Sequence, residues 1–215
     1  MDQPTLPRPP RPRLLVVPGL HDSGPGHWQT WLQAQHRDAV RVRQRDWHAA
    51  RLECWSSRID HTLALHPGAR FVAVAHSFGC LALADHLARR RDSPVLAALL
   101  VAPAEPDRFG LGSALPPQRL PRSTTMVLSD TDPWMKPASA RRWAQRWGCH
   151  VVHLGDAGHI NVESGHGPLP LAARWVQAVL QRVRQPDTES RIASVSAAAP
   201  VPEPAHRFHF RPHCP

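Results

Sequence analysis

The sequence is poor in the features that mark several protein classes. Cysteine is scarce: Cys54, Cys80, Cys149 and Cys214 are the four in 215 residues, and none belongs to a CxxC pair. Three of them fall in segments that read as regular structure. This argues against a disulfide framework and a zinc site, and for a reducing compartment. No apolar run approaches the length of a membrane span, and no apolar stretch of signal-peptide length precedes Leu14. The expectation is a cytoplasmic protein without a membrane partner. Nucleotide loops are missing too. The stretch Gly19-Leu-His-Asp-Ser-Gly-Pro-Gly26 fits neither GxGxxG nor a Walker loop, and no lysine follows it. No internal repeat is visible.

Acidic charge is in deficit, leaving a formal net charge of +9 that arginine supplies almost alone. A basic protein invites comparison with nucleic-acid binders. Here the arginines are scattered: Arg8, Arg11 and Arg13 at the start, Arg41, Arg43 and Arg45 on one segment, Arg89 to Arg91 at a helix end. Neither a nucleic-acid motif nor an aromatic-studded basic strand accompanies them. Helix ends and solvated faces account for most of the excess, so no nucleic-acid partner is expected. A protein partner is not indicated.

What is present suits one well-buried domain, with 42% hydrophobic residues. Residues 1–12 read as a proline-rich disordered tail, residues 13–184 as the domain, and residues 185–215 as a disordered extension rich in proline, alanine and small polar residues. In that extension His206, His209 and His213 with Cys214 could bind a metal adventitiously, but a solvated tail is the simpler reading. Between the tails, apolar runs alternate with segments of helical spacing. The runs are Leu14–Val17, Val40–Arg43, Phe71–Ala75, Val95–Ala102, Thr125–Leu128 and His150–Leu154. The helical segments are about 28–36, 50–65, 78–90, 137–147 and 169–183. Short runs rich in valine and leucine suit strands buried on both faces, and the alternation implies a parallel sheet covered by helices. Reactive groups should then lie in the loops that follow strands.

The third run continues as Ala75-His76-Ser77-Phe78-Gly79-Cys80 into a helical segment. Strand, sharp turn holding serine, then helix is the layout of a nucleophile elbow. The turn demands small residues two before and two after the serine, and Ala75 and Gly79 meet that demand. It also puts the Phe78 N–H at a helix start, where it can donate to an oxyanion. The competing reading of Ser77 is a helix cap. A serine hydroxyl needs a base, and the base an orienting acid, in the chain order serine, acid, histidine. After the fifth run comes Ser129-Asp130-Thr131-Asp132-Pro133-Trp134, and after the sixth Gly155-Asp156-Ala157-Gly158-His159. Either Asp130 or Asp132 could be the acid, and Asp132 is preferred because it directly precedes the proline that turns the chain away. Either could instead only shape a turn, and a loop histidine is by default a surface residue. The loop after the first run offers a second oxyanion donor, for which the Leu20 N–H is the candidate. His21 reads as a neighbour of the site or a hydrogen-bonding loop residue.

These residues carry a resemblance. VVPGLHDSGPGHWQTWL, DWHAARLECW, VAHSFGC, VAPAEP, SDTDPW and GDAGHINVESGHGPLP together span roughly residues 14–183, and the chain resembles the small serine hydrolases of the retinoblastoma-binding protein nine and YdeN-like group. The resemblance implies an α/β-hydrolase fold with a six-stranded, mainly parallel sheet, helices on both faces, no large cap domain and no cofactor. It implies Ser77, Asp132 and His159 as the catalytic triad, and chemistry like that of a carboxylesterase. The long C-terminal extension and Phe78 depart from the group's pattern, and Phe78 bears on how an acyl group is received. Residues 103–124 are too few for a large lid, so the expected site is open and shallow, for small or short-chain acyl esters. The alternative in another class is a protein-binding module on a hydrolase scaffold with little or no catalysis.

Overall fold

Runs of valine, leucine and alanine with no polar face can be satisfied only by cover on both sides, and the fold supplies it. The computed structural model describes residues 11–184, so expectations for residues 1–10 and 185–215, including His206, His209, His213 and Cys214, lie outside the described residues. The strands are β1 (Arg13–Val17), β2 (Val40–Arg41), β3 (Phe71–Ser77), β4 (Val95–Pro103), β5 (Ser123–Leu128) and β6 (His150–His153). The helices are α1 (Trp28–Ala34), α2 (Leu52–Ala64), α3 (Phe78–Arg89), α4 (Pro137–Trp147) and α5 (Pro170–Arg184). All ladders are parallel, in the order β2-β1-β3-β4-β5-β6. Parallel neighbours need a crossover, and one helix serves each connection except that from β4 to β5.

Successive strand residues face opposite ways, so the core is double. Leu15, Val17, Phe71, Ala73, Ala75 and Leu100 pack with Trp55, Leu83 and Trp143 on the face carrying α2, α3 and α4. Leu14, Val16, Val72, Val74, Leu99 and Val101 pack with Trp28, Leu32 and Val176 on the face carrying α1 and α5. Two strands depart from expectation, both at sheet edges. In β6 the side chains of His150 and Val151 are exposed, because an edge strand has a neighbour on one side only and less helix above it. The β2 ladder stops at Arg41, although buried Val42 still donates its N–H to the Val16 carbonyl.

The strand order reverses between β1 and β3: β2 lies to one side and β4 to β6 to the other. At such a switch point the two following loops diverge and leave a crevice at the carboxyl ends of the strands. The loop holding Gly19 and Leu20 and the turn holding Ser77 meet there. Between β4 and β5 the described chain forms one 3-10 turn, Pro106–Phe109, and no cap domain. Among the described residues no helix is long and apolar enough to cross a membrane.

Candidate active site

Ser77 ends β3 and caps α3 with φ 52° and ψ −124°, backbone that an L residue adopts only under constraint. The constraint is close approach. A Cβ added to Gly79 would stand 2.2 Å from the Pro18 carbonyl oxygen, and one added to Gly19 2.8 Å from the Ser77 Cβ. Strand β1, its loop and α3 therefore close on the turn with no room for larger side chains. The Ser77 hydroxyl makes no capping bond to its helix. It is presented to the crevice instead.

His159 lies in the loop after β6, and its Nε2 is 2.9 Å from the Ser77 Oγ. Its Nδ1 stands 3.0 Å from both carboxylate oxygens of Asp132, in the loop after β5. Both side chains are well buried. Neutral residues of the same motifs hold these loops together. The Ser129 hydroxyl donates to the Gly155 carbonyl and accepts from the Ala157 N–H. The Thr131 hydroxyl donates to Asp156 at 2.6 Å and accepts from the Gly158 N–H at 3.0 Å. Asp132 is oriented further by the Trp134 N–H, which donates to its Oδ1 at 2.9 Å. Asp130 points elsewhere, to His153 and Arg141 at the surface, and does not meet His159. The Phe78 amide opens α3 and so has no helical acceptor, and the Leu20 amide has no partner among the described residues. His21 lines the cavity beside Ser77 and bonds to His48 at 2.9 Å.

Several residues at the site were not singled out from the sequence. His76, next to the serine, is buried and donates its Nε2–H to the His159 carbonyl at 2.9 Å. Its ring stands 4.7 Å from that of His27 and 4.8 Å from that of His159. His27 caps α1, its Nδ1 accepting from the Gln29 N–H, which leaves the ring proton on Nε2. Gln29, wholly buried, donates to the carbonyls of Val17 at the end of β1 and Val74 in the middle of β3, and accepts from the Ser23 hydroxyl. The sequence signal for His27 and Gln29 is the run GHWQ.

Burial, with Arg41 and His159 adding, pushes the His27 imidazole down to about 4, and burial lowers His76 and His86 as well. A histidine kept neutral by the fold takes up a proton more readily when unfolded. Its stabilising effect is thus present above the unfolded value near 6.5 and lost as pH falls toward about 4. We expect the melting temperature to fall over that acid range. His27→Asn, which keeps a capping acceptor but not the titration, should flatten part of the limb. Thermal melts of both proteins in a pH series check this, and parallel curves would remove His27 from the account.

Around Ser77 and His159 lies a cavity of about 310 Å³, walled also by Leu20, Ala104, Arg108, Phe109 and Trp134. The Phe78 ring does not line it. That ring is fully buried between Trp55 and Phe109, with centroids 5.1 Å from each, so it bears on the cavity only by backing Phe109. Among the described residues no three His, Cys, Asp or Glu side chains are grouped to hold a metal ion.

A second chain of the same residue types lies at the opposite, amino ends of the strands. Ser93 Oγ is 2.8 Å from His86 Nε2, and His86 Nδ1 is 2.8 Å from Asp60. Its serine has ordinary negative φ, and its hydroxyl accepts the Val95 N–H at 3.3 Å. Asp60 on α2, His86 on α3 and Ser93 before β4 thus tie three elements together. Ser77 differs from Ser93 in its strained turn and in the free amides beside it.

Comparison with known proteins bears on the family and the fold. Residues 14–182 match the family described as serine hydrolase. Among solved structures, a Pectobacterium atrosepticum protein named as a YdeN-like hydrolase is 33% identical over 82% of this chain and 94% of its own, with a TM-score of 0.76. The ydeN gene product of Bacillus subtilis shares the fold at 19% identity, over 78% of this chain and 97% of its own, with a TM-score of 0.65. Est1E of Butyrivibrio proteoclasticus, solved with ferulic acid bound, shares it at 14% identity, over 86% of this chain and 94% of its own, also at 0.65. No curated protein matches the chain significantly. With its six-stranded parallel sheet and its match over residues 14–182, the chain belongs to the serine hydrolase family, within the α/β-hydrolase superfamily and beside the YdeN-like hydrolases.

Proposed function

We propose that the chain is a carboxylesterase that cleaves small or short-chain acyl esters through an acyl-enzyme intermediate, with Ser77 as nucleophile, His159 as base and Asp132 as the orienting acid. The observation that carries this reading is the hydrogen-bonded line from Asp132 through His159 to Ser77, at 3.0 and 2.9 Å. As the Ser77 Oγ attacks the ester carbonyl, His159 Nε2 takes its proton, and Asp132 stabilises the imidazolium through Nδ1. The carbonyl oxygen becomes an oxyanion, for which the N–H groups of Phe78 and Leu20 are the donors in this reading, each worth about 10²–10³ in rate. Collapse expels the alcohol, which receives the proton from His159. Water, deprotonated by the same imidazole, then attacks the acyl carbonyl, and Ser77 departs as the free hydroxyl. Side chains, amides and water suffice, and no cofactor enters.

A cavity of about 310 Å³, walled by Leu20, Ala104 and a Phe109 backed by the buried Phe78 ring, favours short acyl chains. Hydrolysis of an ester series from acetate to octanoate with one leaving group tests this. The specificity constant is expected to fall about tenfold or more beyond butyrate as the chain outgrows the cavity. A profile that rises to octanoate would sink the short-chain assignment. A cytoplasmic location, with small esters rather than nucleic acid or membrane as partners, belongs to the same reading. It is supported by the free thiols of Cys54, Cys80 and Cys149.

A further inference from the structure

We infer that Trp134 is a shelf for the departing alcohol, and that the preferred substrates are esters whose alcohol part carries a flat aromatic ring. The inference rests on the esterase reading of Ser77 and His159 and names the substrate class for that site. His159 Nε2 must return its proton to the leaving oxygen, so the alcohol lies on the side of the cavity that His159 occupies. Trp134 is the aromatic residue of that side. Its ring centroid is 6.3 Å from that of His159, with the planes at 63°, and it lines the cavity. Phe109, another aromatic wall, packs edge-on against the buried Phe78 ring instead.

The indole is 51% exposed, among the most exposed large apolar side chains described, yet it is held in place. Its own N–H backbone group is bonded to Asp132, and the Arg108 guanidinium lies 5.3 Å above its ring. The same guanidinium donates to the Pro133 carbonyl at 3.1 Å, which pins it over the indole. An apolar ring left wet but fixed beside the reacting atoms meets the two needs of a stacking surface, unsatisfied area and low entropy cost. A second flat ring covering it would gain both burial and stacking. An n-alkyl group would gain burial alone.

Benzyl acetate and butyl acetate share an acyl group and have alcohols of comparable acidity, so their ratio isolates the leaving-group side. The wild-type protein is expected to prefer benzyl acetate. Trp134→Ala is expected to lower the benzyl-to-butyl ratio of kcat/KM by about tenfold, mainly through KM. Trp134→Phe should retain most of the preference, and Arg108→Ala should lose part of it. A wild-type preference for butyl acetate, or equal losses on both esters in Trp134→Ala, would overturn the shelf while leaving the Ser77 chemistry standing. Failure of the wild type to cleave either ester, together with a Ser77 that resists a fluorophosphonate, would instead overturn the esterase reading beneath it.

Discussion

Ser77→Ala is expected to abolish hydrolysis of short-chain aryl esters and labelling by a fluorophosphonate probe. The loss in kcat should be about 10⁴-fold or more, because without the hydroxyl no acyl-enzyme forms and the base has no proton to take. The fold should survive, since the Ser77 side chain makes no cap bond and an alanine Cβ occupies the space of the serine Cβ. Peptide mapping of the labelled wild-type protein adds a sharper readout. The adduct should sit on Ser77 and not on Ser93, whose hydroxyl is committed to His86 and to the Val95 amide. Undiminished labelling of Ser77→Ala, or an adduct on Ser93, would move the chemistry to the other end of the sheet.

The two aspartates of SDTDPW give the second large effect, and they should separate cleanly. Asp132→Asn is expected to lower kcat by about 10⁴-fold, since an amide at this position no longer holds the proton of His159 on Nδ1 and cannot stabilise the imidazolium. The substituted side chain can still accept the Trp134 N–H, so the loop should keep its shape. Asp130→Asn, which loosens only surface pairs with His153 and Arg141, should stay within about twofold. Steady-state kinetics with matched melting curves check both. Comparable losses at the two positions would mean that the loop, rather than the Asp132 carboxylate, is what His159 requires.

These two results would test a site whose outline is visible along the chain. Ser77, Asp132 and His159 each follow their own apolar run, and a parallel sheet gathers such positions at one edge. Small residues flank Ser77 in the sequence because the turn admits nothing larger: a Cβ at Gly79 would run into the Pro18 carbonyl. Legibility ended where partners are far apart in the chain. Gln29 bridging β1 and β3, His76 bonded to a carbonyl in the loop after β6, and the Thr131–Asp156 clasp join residues that share no local pattern. The chain of Asp60, His86 and Ser93 likewise joins residues that share no local pattern.

The order of strands and helices, the two-faced burial of the sheet and the position of the elbow were determined by the amino-acid sequence alone, because hydrophobic periodicity and backbone sterics act over a few neighbouring residues. Tertiary structure alone decided between Asp130 and Asp132 as the neighbour of His159, turned the Phe78 ring into the core and set Trp134 beside the His159 ring. Those outcomes depend on hydrogen bonds and packing between loops brought together only when the sheet closes, and short-range preferences carry no term for them.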